Sequence, residues 1–153
     1  LLNSISMILA SEIEIDELSR KICRLLTSRM HLQNARTVVL DKGKVIYESK
    51  ELARIIGADQ FKNFKKLGSG LNYIDKLEAG EKRDILKNLD ASVSVALKTN
   101  NQFIGYLILG QKKSGDIFSH NDLETIKIIA GEFGIALENA IAFSEIQQLL
   151  PKP

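Results

Sequence analysis

Residues 103–146 read FIGYLILGQKKSGDIFSHNDLETIKIIAGEFGIALENAIAFSEI. The first seven residues are apolar or aromatic around one glycine, which is typical of a buried β-strand. Ser119 and Asp122 then stand in the S-x-x-D relation of a helix capping box. A helix is therefore predicted to begin here, and no proline interrupts it before Pro151, about 30 residues or ~45 Å further on.

The predicted helix carries two apolar faces. Residues spaced three and four apart form one face, which we expect to pack on the core of the domain: Leu123, Ile126, Ala130, Phe133, Leu137 and Ala140. A second stripe with heptad spacing runs on roughly the opposite side: Ile128, Glu132, Ile135, Asn139, Ala142, Ile146 and Leu149. Asn139 occupies an a position, where asparagine favours a parallel dimer in register. We therefore expect a homodimer interface along this stripe; the alternative is that helices of the middle segment cover it.

A strand hairpin is predicted immediately upstream. Ser92–Leu97 and Phe103–Leu109 are joined across Thr99–Gln102, where asparagine tolerates the positive φ of a tight turn. With Asn100 and Asn101 in the turn, Val95 would face Tyr106 and Leu97 would face Ile104. One face would then carry Val93, Val95, Leu97, Ile104, Tyr106 and Ile108, and the other Ser92, Ser94, Ala96, Gly105, Leu107 and Leu109. Since both faces are mostly apolar, we expect the hairpin near the centre of a sheet that is covered on both sides.

The rest of the chain predicts shorter elements. Helical spacing occurs over residues 2–9 and again from Asp16 to His31, followed by strands at Ala35–Leu40 and Val45–Glu48. Ser49–Asp90 is interpreted as short helices and loops, with a strand at Leu71–Asp75 and a helix at Glu81–Leu89. Within it, residues 57–80 are expected to be the most mobile part of the chain.

Composition excludes several classes of protein. The 153 residues carry 21 Lys and Arg against 19 Asp and Glu, a balance that does not indicate a nucleic-acid binder. No apolar run is long enough for a membrane span or signal peptide. A single cysteine and two histidines do not make an ordinary zinc site. We expect one cytoplasmic, metal-free domain over residues 1–153, cut from a longer protein because it begins with leucine inside a helical pattern.

Several pieces of the second half resemble a GAF domain, as found in bacterial sensor histidine kinases and related signalling proteins. These pieces are Ile104–Gly110 (IGYLILG), Lys113–Asp116 (KSGD), Phe118–Ser119 with Asn121–Leu123, and Ile135–Ala140 (IALENA). Ile15–Leu18 (IDEL) is similar to the start of the first helix of that family. Ala96 departs from the pattern, since many members carry proline there, and the middle lacks the usual glycine-rich turn.

The resemblance implies an α+β fold with a GAF/PAS-like central antiparallel sheet. Terminal helices would pack on one face, and short helices and loops on the other. It further implies a regulatory sensory and dimerisation module without catalytic activity. Such a module would pass a signal along its long helix to an output domain in the same polypeptide, such as a histidine kinase. The alternatives are a small-molecule receptor domain, for a nucleotide or other effector, of a transcriptional regulator or cyclase, or, less favoured, a small enzyme.

The implied ligand pocket lies between the sheet and residues 50–90. Its candidate polar residues are Ser92, Ser94, Tyr73 and Tyr106. In the register above the serines and Tyr106 point to opposite faces, and the sequence does not choose between them. No cofactor is specified, and the ordered Asn-Lys-Phe-Asp-Glu set of cyclic-nucleotide-binding members is missing.

Other chemically suggestive residues have plainer interpretations. Some GAF relatives are methionine sulfoxide reductases, and others attach a bilin through cysteine. Cys23 has no partner thiol and lies in an apolar helix face. We therefore expect it to be a buried structural residue. His31 and His120 are expected at the surface. Gly68–Gly70 is interpreted as a hinge. Phe61–Lys66 is interpreted as a half-buried helix rather than a nucleic-acid site.

Overall fold

Five strands and three helices are present in the computed structural model, which describes residues 14–50, 64–100 and 102–149 apart from the side chain of Gln147. The helices are α1 (Ile15–Arg29), α2 (Glu81–Asn88) and α3 (His120–Leu149). The strands are β1 (Ala35–Asp41), β2 (Lys44–Glu48), β3 (Leu71–Tyr73), β4 (Val93–Lys98) and β5 (Phe103–Leu109). The helical spacing at residues 2–9 and much of Phe61–Lys66 fall outside the described residues, as does part of the segment expected to be mobile.

The strands form one antiparallel sheet in the order β2-β1-β5-β4-β3. The predicted hairpin of β4 and β5 occupies its middle, with β5 as the central strand. Helices α1 and α3 pack on one side, which we call the helix face, while α2 and the 3₁₀ turn Lys65–Leu67 pack on the other, which we call the middle face. This arrangement confirms the predicted α+β fold.

The larger of the two hydrophobic cores lies on the helix face. Helix α1 contributes Leu18, Ile22 and Leu26, all fully buried, because these positions recur on one side of a helix. From α3 come the residues predicted for its core face, all buried: Leu123, Ile126, Ala130, Phe133, Leu137 and Ala140. The prediction of an inward face on the long helix is therefore confirmed.

The start of α3 is held by the predicted capping box. The Ser119 amide donates to Asp122 Oδ2 at 2.8 Å, and the Asp122 amide donates to Ser119 Oγ at 3.0 Å. Lys112 Nζ also donates to Asp122 Oδ2, at 2.7 Å. Burial alone would raise the pKa of Asp122, but the bonds from Lys112 and Ser119 favour the carboxylate and lower it. These contacts position the N-terminus of α3 against the end of the sheet.

The predicted register of the central hairpin is wrong by one residue over most of its length. Val95 pairs with Leu107 rather than Tyr106, and Leu97 pairs with Gly105 rather than Ile104. The register shifts between Leu97 and Lys98, because Lys98 pairs with Phe103 and Ile104 is thus an extra residue on β5.

Two further elements end two residues earlier than predicted. The first long helix ends at Arg29 rather than His31, which adopts a positive φ of 54° that a helix does not permit. The strand expected over Leu71–Asp75 stops at Tyr73, and Ile74–Lys76 forms a 3₁₀ turn. Both differences reflect local turns that apolar spacing does not reveal.

Gly105 lies where β1 and β5 approach each other very closely. Its φ is +151°, and a Cβ built there would lie 2.0 Å from the carbonyl oxygen of Val38. The adjacent strand β1 can therefore pair with β5 only if this residue lacks a side chain.

We predict that Gly105→Ala destabilises the domain by well over 1 kcal/mol, because it combines a backbone clash with an unfavourable φ. Gly131→Ala is the matched control. A Cβ at Gly131, on the exposed side of α3, meets no atom within 4 Å, and this change should stabilise the helix by up to about 1 kcal/mol. Urea unfolding of both variants measures the difference, and equal stabilities would contradict the proposed clash.

Candidate functional site

Ser94 and Tyr106 both lie on the middle face, at diagonal positions of β4 and β5. Ser94 pairs with Ile108, and Ala96 pairs with Tyr106, so the interpretation that the serines and Tyr106 point to opposite faces is wrong for Ser94. The reason is the extra residue Ile104, which reverses the alternation of β5 relative to β4. Ser94 is fully buried and Tyr106 is 2% exposed.

A small polar network holds the middle segment onto this face. Tyr106 donates its hydroxyl hydrogen to the Gly68 carbonyl oxygen at 3.1 Å. Asn72 Nδ2 donates to the Leu67 carbonyl at 2.7 Å and to Ser94 Oγ at 3.2 Å. Burial raises the pKa of Tyr106 to about 12. Asn72 was missed by sequence reasoning, although asparagine is depleted in strands and its presence between apolar strand residues is a signal.

Apolar side chains pack around this network on the middle face. Phe64, Leu67, Leu86 and Leu89 pack over Val38, Ala96, Tyr106 and Ile108. The rings of Phe64 and Tyr106 are 5.9 Å apart, and those of Phe103 and Tyr106 are 5.0 Å apart. Within the described residues, the side chains of Ser94 and Tyr106 therefore have hydrogen-bond partners in the protein itself.

Tyr73 and Ser92 lie away from this network, at a cleft at the end of the sheet. Tyr73 joins the core of the helix face, where its hydroxyl donates to Asp75 Oδ2 at 2.8 Å and accepts from the Phe118 amide at 3.1 Å. Burial raises the pKa of Tyr73 as well. Together with Ser92, it lines a cleft of about 290 Å³ at the end of the sheet. The four predicted pocket residues thus form two separate pairs.

A larger groove of about 680 Å³ lies between three elements. Its walls come from the start of α1, from Ile46 and Tyr47 of β2, and from Ala140, Phe143 and Ser144 of α3. Phe143 is exposed although aromatic. Sequence reasoning did not identify this groove, because it depends on how β2 lies against the end of α3.

The apolar residues of the heptad stripe on α3 are exposed. The exposed fractions are 50% for Ile128, 56% for Ile135, 57% for Ile146 and 84% for Leu149. Asn139 and Ala142 are exposed too, while Glu132 is half-buried. The elements of the middle segment that the structure describes pack on the opposite face of the sheet, so they do not cover this stripe.

The described chain places Cys23 inside the domain and the two histidines at its surface. Cys23 is buried, and its Sγ lies 3.1 Å from Thr37 Oγ1. His31 and His120 are exposed, as expected. Within the described ranges, no three His, Cys, Asp or Glu side chains are grouped as metal ligands. Among those same residues, no helix has the length and apolar character that a membrane crossing requires.

Three solved structures resemble this architecture over most of their length. A methyl-accepting chemotaxis protein, residues 122 to 287, matches with a TM-score of 0.64 and 16% identity over 91% of this chain and 98% of that chain. The GAF domain of cyanobacteriochrome TePixJ matches with a TM-score of 0.61 and 14% identity over 86% and 94%. The GAF domain of a two-component sensor histidine kinase from Bacillus halodurans matches with a TM-score of 0.59 and 14% identity over 87% and 99%.

These likenesses establish the fold. Comparison with protein-family models and with curated proteins gives no match. At identities of 14% to 16%, the shared property is the arrangement of sheet and helices. The chain therefore has a GAF-like fold, as its resemblance to that family implies.

We predict that Tyr106→Phe reduces the loss of stability at alkaline pH. The phenol ionises at its ordinary value of 10.0 in the unfolded chain and at about 12 in the folded protein. Its stabilising contribution is therefore complete below pH 10.0 and is lost as the pH rises towards about 12. The variant should be about 1 kcal/mol less stable near neutral pH, because the bond to Gly68 is lost.

Urea unfolding of both proteins across this pH range measures the effect. Tyr47 and Tyr73 are present in both, so their titration cancels in the comparison. The two stabilities should converge above pH 10.0, and the variant should become the more stable protein as the pH approaches about 12. A constant difference at every pH would contradict burial as the cause of the raised pKa.

Proposed function

We propose that this chain is a sensory and dimerisation module of a signalling protein, which pairs in parallel through α3 and passes a signal along that helix to an output domain in the same polypeptide, such as a histidine kinase. One observation carries the proposal. Helix α3 continues beyond its last buried residue, Ile141, and still presents apolar side chains at heptad positions.

The C-terminal end of α3 is only slightly stabilised by packing against its own domain. Ala142–Ile146, Gln148 and Leu149 are all exposed, so about two helical turns extend past the core. Helical segments without tertiary packing are marginal in water. A second helix alongside would supply the missing packing.

A second copy of α3 fits the pattern of this surface. From Ile128 to Leu149 the stripe is about 30 Å long, enough for three heptads. Burying Ile128, Ile135, Ile146 and Leu149 in each copy contributes about 1 to 2 kcal/mol per side chain before the cost of association. Asn139 would meet its counterpart across a parallel interface, which favours that orientation and register.

The structural neighbours support a role in signalling. They include a chemotaxis protein and the GAF domain of a two-component sensor histidine kinase. Among the residues that the structure describes, Phe64 and other apolar side chains pack on the middle face, which supports a dimerising module rather than a receptor with an open pocket there.

We predict that the protein is a dimer at micromolar concentration and that Ile135→Glu converts it to a folded monomer. The side chain of Ile135 is 56% exposed, so the change should not disturb the core, but it would place two carboxylates opposite each other in the interface. Sedimentation velocity measures the oligomeric state, and circular dichroism verifies the fold.

Ile117→Glu is the matched control. Ile117 is 71% exposed and lies in the loop before α3, away from the stripe, so this variant should remain dimeric. A monomeric wild-type protein would contradict the proposal. So would dissociation of both variants to the same extent, since the effect would then come from added charge rather than from the stripe.

A further inference from the structure

The turn between β4 and β5 is joined to the middle of α3. Thr99 Oγ1 donates to Glu138 Oε2 at 2.6 Å, and Gln102 Nε2 donates to the same oxygen at 3.4 Å. The Thr99 amide also donates to the Gln102 carbonyl at 2.9 Å, which closes the turn itself. We call the bonds from Thr99 and Gln102 to Glu138 the turn–helix clasp.

The backbone touches the same side of α3 one helical turn earlier. A Cβ built on Gly134 would lie 3.1 Å from the Lys98 carbonyl oxygen and 3.4 Å from the Lys98 nitrogen. Gly134 and Glu138 are four residues apart and therefore share one side of the helix. The end of β4 thus contacts α3 at two successive turns, which restricts rotation of the helix about its own axis.

The other side of the same hairpin is attached to the middle segment. Tyr106 bonds to the Gly68 carbonyl and packs against Phe64, and only Ile104 and Gly105 separate it from Phe103 at the turn end of β5. The N-terminal end of β5 therefore contacts the middle segment through Tyr106, and it directly follows the turn that binds Glu138. A displacement of the middle segment would move this strand end and the turn with it.

We infer that the turn–helix clasp sets the rotation of α3 and couples the middle face of the sheet to the dimer stripe. Glu138 is a positioning residue here: it immediately precedes Asn139 and lies three residues after Ile135. Rotation at Glu138 therefore changes how the stripe is presented to a partner helix. This inference rests on the proposed function for its biological meaning, but the coupling itself is a property of the single chain.

Thr99→Val tests the clasp, because it removes the donor and keeps the shape of the side chain. Thr27→Val is the matched control, since Thr27 Oγ1 donates within α1 to the Arg24 carbonyl at 2.8 Å. Amide hydrogen exchange of the full chain should accelerate roughly fivefold over Gly134–Ala142 in Thr99→Val, the effect of losing one hydrogen bond. Exchange in α3 should be unchanged in Thr27→Val.

A double-mutant cycle with Tyr106→Phe tests the coupling. Tyr106→Phe alone should also accelerate exchange over Gly134–Ala142, and the double variant should differ by more than twofold from the product of the two single effects. Multiplicative effects, no change in α3, or equal acceleration in every element would each overturn the inference.

Sedimentation of the same proteins separates this inference from the proposed function. Thr99→Val should shift the dimer dissociation constant at least threefold, whereas Thr27→Val should leave it unchanged. If the wild-type protein is monomeric, the proposed dimer fails, and the exchange cycle still decides whether the clasp couples the two regions. If it is dimeric and the cycle is multiplicative, the coupling fails while the dimer stands.

Discussion

The close approach of β1 and β5 at Gly105 is the constraint on which both faces of the sheet depend. A side chain there would collide with the Val38 carbonyl, and the bulge that includes Ile104 ends at this residue. The bulge turns Tyr106 to the middle face and Leu107 to the helix face. The position of Tyr106 on the middle face, and with it the bond to Gly68, therefore depends on this irregularity in the central strand.

Helix α3 is apolar on two sides, and its own domain buries one of them. Leu123, Phe133 and Leu137 bury one side in the domain, while Ile135 remains exposed on the other. A helix that only completed a core would not need apolar residues beyond Ile141. The account of this protein as a dimerising module depends on that excess, and the turn–helix clasp offers a route by which the sheet could affect it.

Most of the fold could be predicted from the sequence, because capping and apolar spacing are local signals. Ser119 and Asp122 predicted the start of α3, and its inward face was correct residue by residue. The register failed because Gly105 was treated as an ordinary strand residue, although a glycine inside a strand is a known sign of a bulge. For the same reason, Ser94 and Tyr106 were expected on opposite faces of the sheet, although they lie on the same face. Contacts such as that between Thr99 and Glu138 join distant parts of the chain and leave no local pattern.

The central claim is that two copies of α3 lie parallel and in register along the stripe. Disulfide cross-linking of Asn139→Cys measures this directly, because residues at an a position of a parallel pair face their own counterparts at a distance that a disulfide can span. Lys127→Cys, at an exposed position outside the stripe, provides the comparison. The account predicts rapid formation of a covalent dimer through position 139 and little through position 127. Equal cross-linking at both positions, or none at position 139, would contradict it.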